Sequence, residues 1–522
     1  MKKLIVSLVF AAGLMAAVEA APTDAVTQAD LKVLLDRLAA LEAQNKAQAA
    51  RIAELENQDA QVKKWMDKQN IQVAEQNKRW ELQNDRLSQM ARASFTAADG
   101  GTTTNETGRI WTTSQGFKYY LADAGARIFE PLSESGLKIT PYGYLVLEGV
   151  YSTRGTVCDT YADWVAHPSS DTYHNHLSVL SMQDSILGIQ FETPEAHKGW
   201  KFIGRAEMDL AGGGNANSYD FHWRHLYFDA QHESGWSILF GQTWHLWKMV
   251  TPSEIDGAWM ENTGHPYRRS PQIRVTKQWD WEDSSLNVRF GVVKNGPGMG
   301  GDHDGDGIED NAASMWPLFE ATAVYERDAP WQDENADNRR WLFGIGGQYG
   351  QTRFRDLNDD KDDYNSSMIM FAGSVPFGAF KLTGQIFAGE NLGGVQAGVG
   401  QTVAFDPARG TAREVATVGG FLDLSYQLSQ DWSLAVGYGF DNPISHGGYA
   451  QFESGDWGNT ITYNDRAYID VFYQVTTNFK IGLEYARLNT RYDDVKDADG
   501  STVSHGGNAY ADRFQFSAYY DF

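Results

Sequence analysis

Apolar and polar side chains alternate with a period of two through the last two-thirds of the chain, most clearly at its carboxyl end. Phe514, Phe516, Ala518, Tyr520 and Phe522 fall on one side, and Arg513, Gln515, Ser517, Tyr519 and Asp521 on the other. A strand with one greasy and one wetted face produces this pattern. Upstream, Phe479, Ile481, Leu483 and Tyr485 oppose Lys480, Gly482 and Glu484. Ile469, Val471, Tyr473 and Val475 oppose Asp470, Phe472 and Gln474, and Trp432, Leu434, Val436, Tyr438 and Phe440 oppose Ser433, Ala435, Gly437 and Gly439. The pattern predicts further strands near 139–151, 183–192, 200–210, 222–231, 236–242, 271–281, 285–294, 316–327, 340–354, 366–375, 380–389 and 414–428. The total is about sixteen, an even number that returns both ends of a closed barrel to one side.

The connections support closure. Short turns, 429–431 and 476–478, trade places with long polar segments, 441–465 and 492–509. Short on one rim and long on the other is the asymmetry of periplasmic turns and extracellular loops. The terminal Phe522 resembles the aromatic signal read by the outer-membrane insertion machinery. The fold class expected is an all-β transmembrane barrel preceded by a helical arm.

That arm shows a different period. From Leu31 to Met90 a seven-residue register runs without proline or glycine, its first core position reading Leu31, Leu38, Asn45, Ile52, Asp59, Met66, Val73, Trp80 and Leu87. Such spacing suits a supercoiled helix, and about sixty residues would reach roughly 90 Å. Asn45, Gln48, Gln69, Gln76 and Gln83 weaken the seam but can fix its register. A solvated single helix or a Gln-rich linker is the alternative.

Composition narrows the class. A mean hydropathy of −0.46 sits beside 13% aromatic residues and 52 glycines, which suits strands greasy on one side only. The net charge of −24 argues against a nucleic-acid partner. A single cysteine, Cys158, excludes an internal disulfide. Lys2 and Lys3, the apolar run Leu4–Val18 and the small-residue site ending at Ala20 read as a secretion signal. The expected organisation is a signal peptide at 1–20, a periplasmic coiled coil at 21–92, a linker or collar at 93–138 and an outer-membrane barrel at 139–522.

Three segments carry a family resemblance. Gly204–Asn215 (GRAEMDLAGGGN), Gly241–Trp244 (GQTW) followed by Pro252, and Arg268–Arg274 (RRSPQIR) resemble the early lumen strand, and the entry and exit of the constricting loop, in DcaP-like porins. The resemblance rests on residues 139–294, and the long acidic outer loops depart from it. It implies a trimeric diffusion channel with an amino-terminal coiled coil and a bias toward small organic anions. A barrel of this kind is expected to meet outer-membrane lipid and lipopolysaccharide, and a peptidoglycan or periplasmic partner is the possibility that the coiled coil offers.

A pore selects through the charges lining its narrowest part. Alternation places Arg205, Glu207 and Asp209 on one face, Arg274 with Gln272 and Thr276, Arg289 with Asn287, and Arg224 on the side of His222. Arginines on neighbouring strands would form a basic ladder able to grip carboxylates at any pH. Alternatively, they pair with Glu207 and Asp209 and merely brace the wall. His222 and His225 are expected on different faces. The segment His245–Arg269, with Trp244, Trp247 and Trp259, is the candidate for a loop folded into the channel, although its aromatics could equally be trimer contacts.

Asp302, Asp304, Asp306 and Asp310 fit D-x-D-x-D-G-x-x-D, an oxygen-rich spacing suited to calcium in an outer loop; a solvated acidic turn is the alternative. No cofactor is required. No G-x-S-x-G, HExxH or Walker loop is present, so an enzyme is not expected. A sugar-selective channel and an envelope tether anchored by its barrel are the rival readings.

Overall fold

The computed structural model describes residues 137–193, 198–213, 219–296, 312–331, 340–355, 362–406, 410–444, 461–496 and 502–522. The expected signal peptide and coiled coil, the collar up to residue 136, and the acidic segment 302–310 lie outside the described residues.

The described residues form a closed barrel of sixteen antiparallel strands. These are β1 Lys138–Ser152, β2 in two pieces (Leu177–Ser181 and Ile186–Glu192), β3 Trp200–Asp209, β4 His222–His232, β5 Trp236–Trp244, β6 Arg269–Asp280 and β7 Ser284–Val293. They continue as β8, also in two pieces (Ala312–Ser314 and Leu318–Asp328), β9 Arg340–Phe354, β10 Asp363–Phe377, β11 Phe380–Glu390 and β12 Ala416–Gln427. The last four are β13 Trp432–Pro443, β14 Ile461–Thr476, β15 Phe479–Tyr492 and β16 Asn508–Asp521. The register between β16 and β1, from Tyr144 opposite Asp521 to Ser152 opposite Arg513, shuts the cylinder. Closure leaves no sheet edge with unpaired backbone groups, a condition that hydrocarbon imposes on any spanning sheet.

The two faces separate as the alternation requires. Ile273, Phe290, Phe343, Phe371, Ile386, Leu422 and Leu483 stand exposed on the outside, where a bilayer would cover them. Stacked pairs near the short-turn rim, Phe380 with Tyr426 and Trp432 with Tyr473, form part of an aromatic girdle. Inward positions are polar: Glu148, Asp209, Glu320, Gln348, Arg466, Glu484, Arg513 and Gln515 are all buried inside the cylinder.

The strands run further toward the long-loop rim than alternation indicates. β14 begins at Ile461 rather than 469, and β15 continues to Tyr492 rather than 485. Beyond the apolar belt the outward residues turn polar, so the pattern fades while backbone pairing goes on. β2 is broken because residues 182–185 leave the ladder. The Ser185 hydroxyl accepts from the Val146 backbone N–H at 3.0 Å and so takes over a strand contact.

Three long loops fold into the barrel and give it an interior core. Trp164, Val165 and Tyr173 from the β1–β2 loop and Val250 and Met260 from the β5–β6 loop pack with Phe421, Tyr468, Leu488 and Tyr492 of the wall. Leu246 and Trp247 meet Leu318, Met370 and Phe387, joined by Leu392 and Val395 of the β11–β12 loop. Replacing outward-facing Ile386 by arginine is expected to cost about 2–4 kcal/mol in bilayer refolding titrations, the penalty for a charge near the midplane. A cost below about 1 kcal/mol would place that belt in water or at an interface.

Candidate functional site

The β5–β6 loop, residues 245–268, starts against the wall of β8 and β9. Glu320 receives it with both oxygens. His245 Nδ1 lies 2.5 Å from Oε1, the Leu246 N–H donates to Oε2 at 2.8 Å, and the Trp247 indole donates to Oε1 at 3.0 Å. The indole also reaches Gln348 on β9 at 3.0 Å. Trp247 is thus a luminal anchor and not a contact between protomers.

The loop then runs to the wall formed by β12, β14, β15 and β16. Ser253 donates to Asp423 at 3.0 Å. Glu254 meets Arg466 at 2.6 Å, while Asp256 lies 2.9 Å from Arg466 and 3.1 Å from Arg513, with every one of these side chains fully buried. The backbone answers in the opposite sense. The N–H groups of Ile255 and Asp256 donate to Glu484 at 3.1 and 3.0 Å, and Glu484 itself bridges to Arg466 at 2.7 Å. Burial works against the Asp256 charge, but Arg466 and Arg513 outweigh it and hold this carboxyl below its ordinary range. Burial pushes Glu254 well up despite Arg466, because Glu484 and Asp256 crowd it.

The return path is pinned at a second level. Asn464 donates to the carbonyls of Asn262 and Asp163 at 2.8 Å each, tying this loop to the β1–β2 loop. Gln385 donates to the Gly264 carbonyl at 3.2 Å. Gly264 has φ of +115°, and a Cβ there would collide with the carbonyls of Gly420 and Phe440; only glycine lets the loop lie this close to the wall.

The loop is therefore pinned to the β8–β16 wall, while its first residues also pack on β7, where Leu246 meets Val293. Beneath it is a cavity of about 650 Å³ whose lining includes Arg224, Trp244, Trp259, Tyr267 and Arg269, together with Glu148, Asp184 and Glu254. Glu148 and Glu254 are only 2% and 6% exposed, so little of their charge is presented to a solute.

The sequence-predicted residues divide into two groups. Arg205 pairs with Glu207 at 2.5 Å and bonds the Tyr142 hydroxyl. Arg224 pairs with Glu207 and with Asp209 at 2.9 Å each. These four side chains pair with one another, the arrangement that the bracing alternative describes. Arg274 makes no hydrogen bond or ion pair among the described residues, and Arg289 donates only to Asn287, at 2.7 Å. Asp302, Asp304, Asp306 and Asp310 fall outside the described residues.

One departure from alternation escaped sequence reasoning, and the segment expected to fold into the channel gains detail. The register slips between Glu207 and Met208, so Arg224 bulges and His225 turns inward with it. His222 and His225 therefore both face the lumen, contrary to expectation. His222 lies 3.1 Å from Asp209, and His225 lies 2.9 Å from the Thr243 hydroxyl. A bulge opposes two residues to one and defeats parity counting. Arg269 and Trp244 pair across β5 and β6 at positions that strict alternation faces outward, yet both line the cavity. Arg269 stacks on Trp244 at 4.6 Å, and a buried nitrogen of its guanidinium has no hydrogen-bond partner. Lys248, inside the same segment, lies 4.7 Å from the Trp244 ring and 5.1 Å from that of Trp259.

Known structures share this architecture. The outer membrane channel DcaP of Acinetobacter baumannii superposes with a TM-score of 0.56 at 18% identity, covering 74% of this chain and 97% of that one. An anion-selective porin from Comamonas acidovorans aligns with a TM-score of 0.46 at 12% identity, over 74% of this chain and 100% of its own. No protein-family model and no curated protein matches the sequence. The likeness to DcaP is one of fold.

Arg466 holds three carboxylates. Arg466→Met should remove about 3–5 kcal/mol from the attachment of the loop, because it leaves buried charges unpaired. The expected result is a larger, noisier single-channel conductance and protease cleavage within 245–268. Unchanged conductance with full protection would show that the loop is held by other contacts.

Proposed function

We propose that this chain is a passive diffusion channel of the bacterial outer membrane, with a preference for small organic anions such as carboxylates. The observation that carries the reading is the unequal treatment of luminal cations. Arg205 and Arg224 are neutralised by Glu207 and Asp209, whereas Arg269, Arg274 and Arg289 have no carboxylate within ion-pairing distance among the described residues. Arg269 and Arg274 lie on β6 and Arg289 on β7. Guanidinium groups keep their charge at any working pH and offer planar donors to a carboxylate. In a confined lumen such fixed charges raise the local concentration of anions.

A sugar-selective channel is the second reading, favoured by one specific feature. Trp244, Trp259 and Tyr267 cluster with ring centroids 5.6–6.1 Å apart and line the same cavity. Stacking on these rings would serve a neutral solute, but the adjoining unpaired cations favour the anion.

Assembly as a homotrimer, embedding in outer-membrane lipid and lipopolysaccharide, and a periplasmic or peptidoglycan contact through the 21–92 arm belong to the same reading. The heptad register is the support for the arm, and the D-x-D-x-D-G-x-x-D spacing supports calcium binding in the β7–β8 loop.

In a planar bilayer under a potassium chloride gradient, the reversal potential should report chloride over potassium. Replacing Arg269, Arg274 and Arg289 together by glutamine should lower that permeability ratio roughly three- to ten-fold. Cation preference in the unaltered channel would overturn the reading.

A further inference from the structure

Trp244 is surrounded by three cations. Arg224 lies 5.9 Å from its ring, Lys248 4.7 Å and Arg269 4.6 Å. Two are guanidinium groups, charged at every accessible pH; the third is an ammonium, which sheds its proton readily when desolvated. Only the ammonium can change its charge in ordinary media.

The surroundings of Lys248 press toward that change. Its Nζ donates to the Thr251 hydroxyl at 2.7 Å and otherwise lies against the faces of Trp244 and Trp259. No described carboxylate comes within ion-pairing distance. Each acid nearby is already engaged. Glu207 and Asp209 on β3 hold Arg224, Glu320 on β8 holds His245 and Trp247, Asp423 on β12 accepts from Ser253 and Tyr468, and Glu254 meets Arg466. From β4 and β6 the facing groups are Arg224 and Arg269, both of like charge. On its own loop the facing group is His265, which burial and Lys248 keep neutral.

We propose that Lys248 is a specificity-determining residue of the channel, and that its proton makes the preference for anions depend on the pH of the medium. The inference rests on the anion-channel reading and deepens it. Burial first, then Arg224 and Arg269, pull Lys248 down to about 8. Below that pH the ammonium adds a positive charge to that of Arg269 beside Trp244; as pH rises through it, that charge is lost while the Arg269 guanidinium remains. Anion preference therefore falls on the alkaline side.

The test is the reversal potential of the full chain in a planar bilayer at about pH 6 and about pH 9.5, which bracket this range. The unaltered channel should lose roughly two- to five-fold in chloride-over-potassium ratio between the two. Lys248→Arg should hold the high ratio at both, and Lys248→Gln the low ratio at both. A ratio that is flat in the unaltered channel, or that falls equally in Lys248→Arg, overturns the role of Lys248 and leaves the anion channel standing. Cation preference at both pH values overturns the channel reading and this inference with it.

Discussion

The buried charge lock between the β5–β6 loop and the far wall is the interaction on which the rest of the channel depends. Two carboxylates carried in by the loop, Glu254 and Asp256, meet two arginines of the wall, Arg466 and Arg513. In return, wall carboxylates accept the backbone N–H groups of Ile255 and Asp256. Charges buried this completely are tolerated only when paired and hydrogen-bonded, so the lock discriminates strongly between a seated and an unseated loop. Seated, the loop hides its own acids and those it meets. The cations that no described carboxylate pairs, Arg269, Arg274 and Arg289, sit on β6 and β7, outside the lock.

That asymmetry gives physical content to the idea of selectivity. An arginine in a wet lumen counts toward selectivity only if its charge is uncompensated. Arg205 and Arg224, which the sequence puts in one ladder with Arg274 and Arg289, are the ones that Glu207 and Asp209 pair. Arg269, Arg274 and Arg289 begin or follow the loop, where the inward neighbours are Ser270, Gln272, Thr276 and Asn287, none able to neutralise them. The same loop supplies Lys248 and, in Trp259, one of the two indoles that cover it.

Much of the fold was legible because a barrel wall obeys a one-dimensional rule. Leu483 and Phe516 face out while Glu484 and Gln515 face in, and the count of sixteen followed from repeating that test. The long-versus-short parity of connections held as well. What was not legible depended on departures from regular pleating or on contacts distant in sequence. The slip at Glu207 and Met208 moved His225 to the lumen, and the inward turn of the chain at Trp244 and Arg269 reversed their parity. The break in β2 is filled by Ser185, a side chain that alternation alone gives no reason to single out. The meeting of Asp256 with Arg466 and Arg513, more than 200 residues apart in the chain, leaves no trace in any local pattern.

The central claim is that uncompensated cations beside Trp244 create a place where an anion rests. Anomalous diffraction from crystals of the full chain soaked in sodium bromide tests it directly. A bromide peak within hydrogen-bond reach of Arg269, with weaker density along Arg274 and Arg289, is the predicted result. Bromide confined to Arg205 and Arg224, or absent from the lumen, would contradict the account.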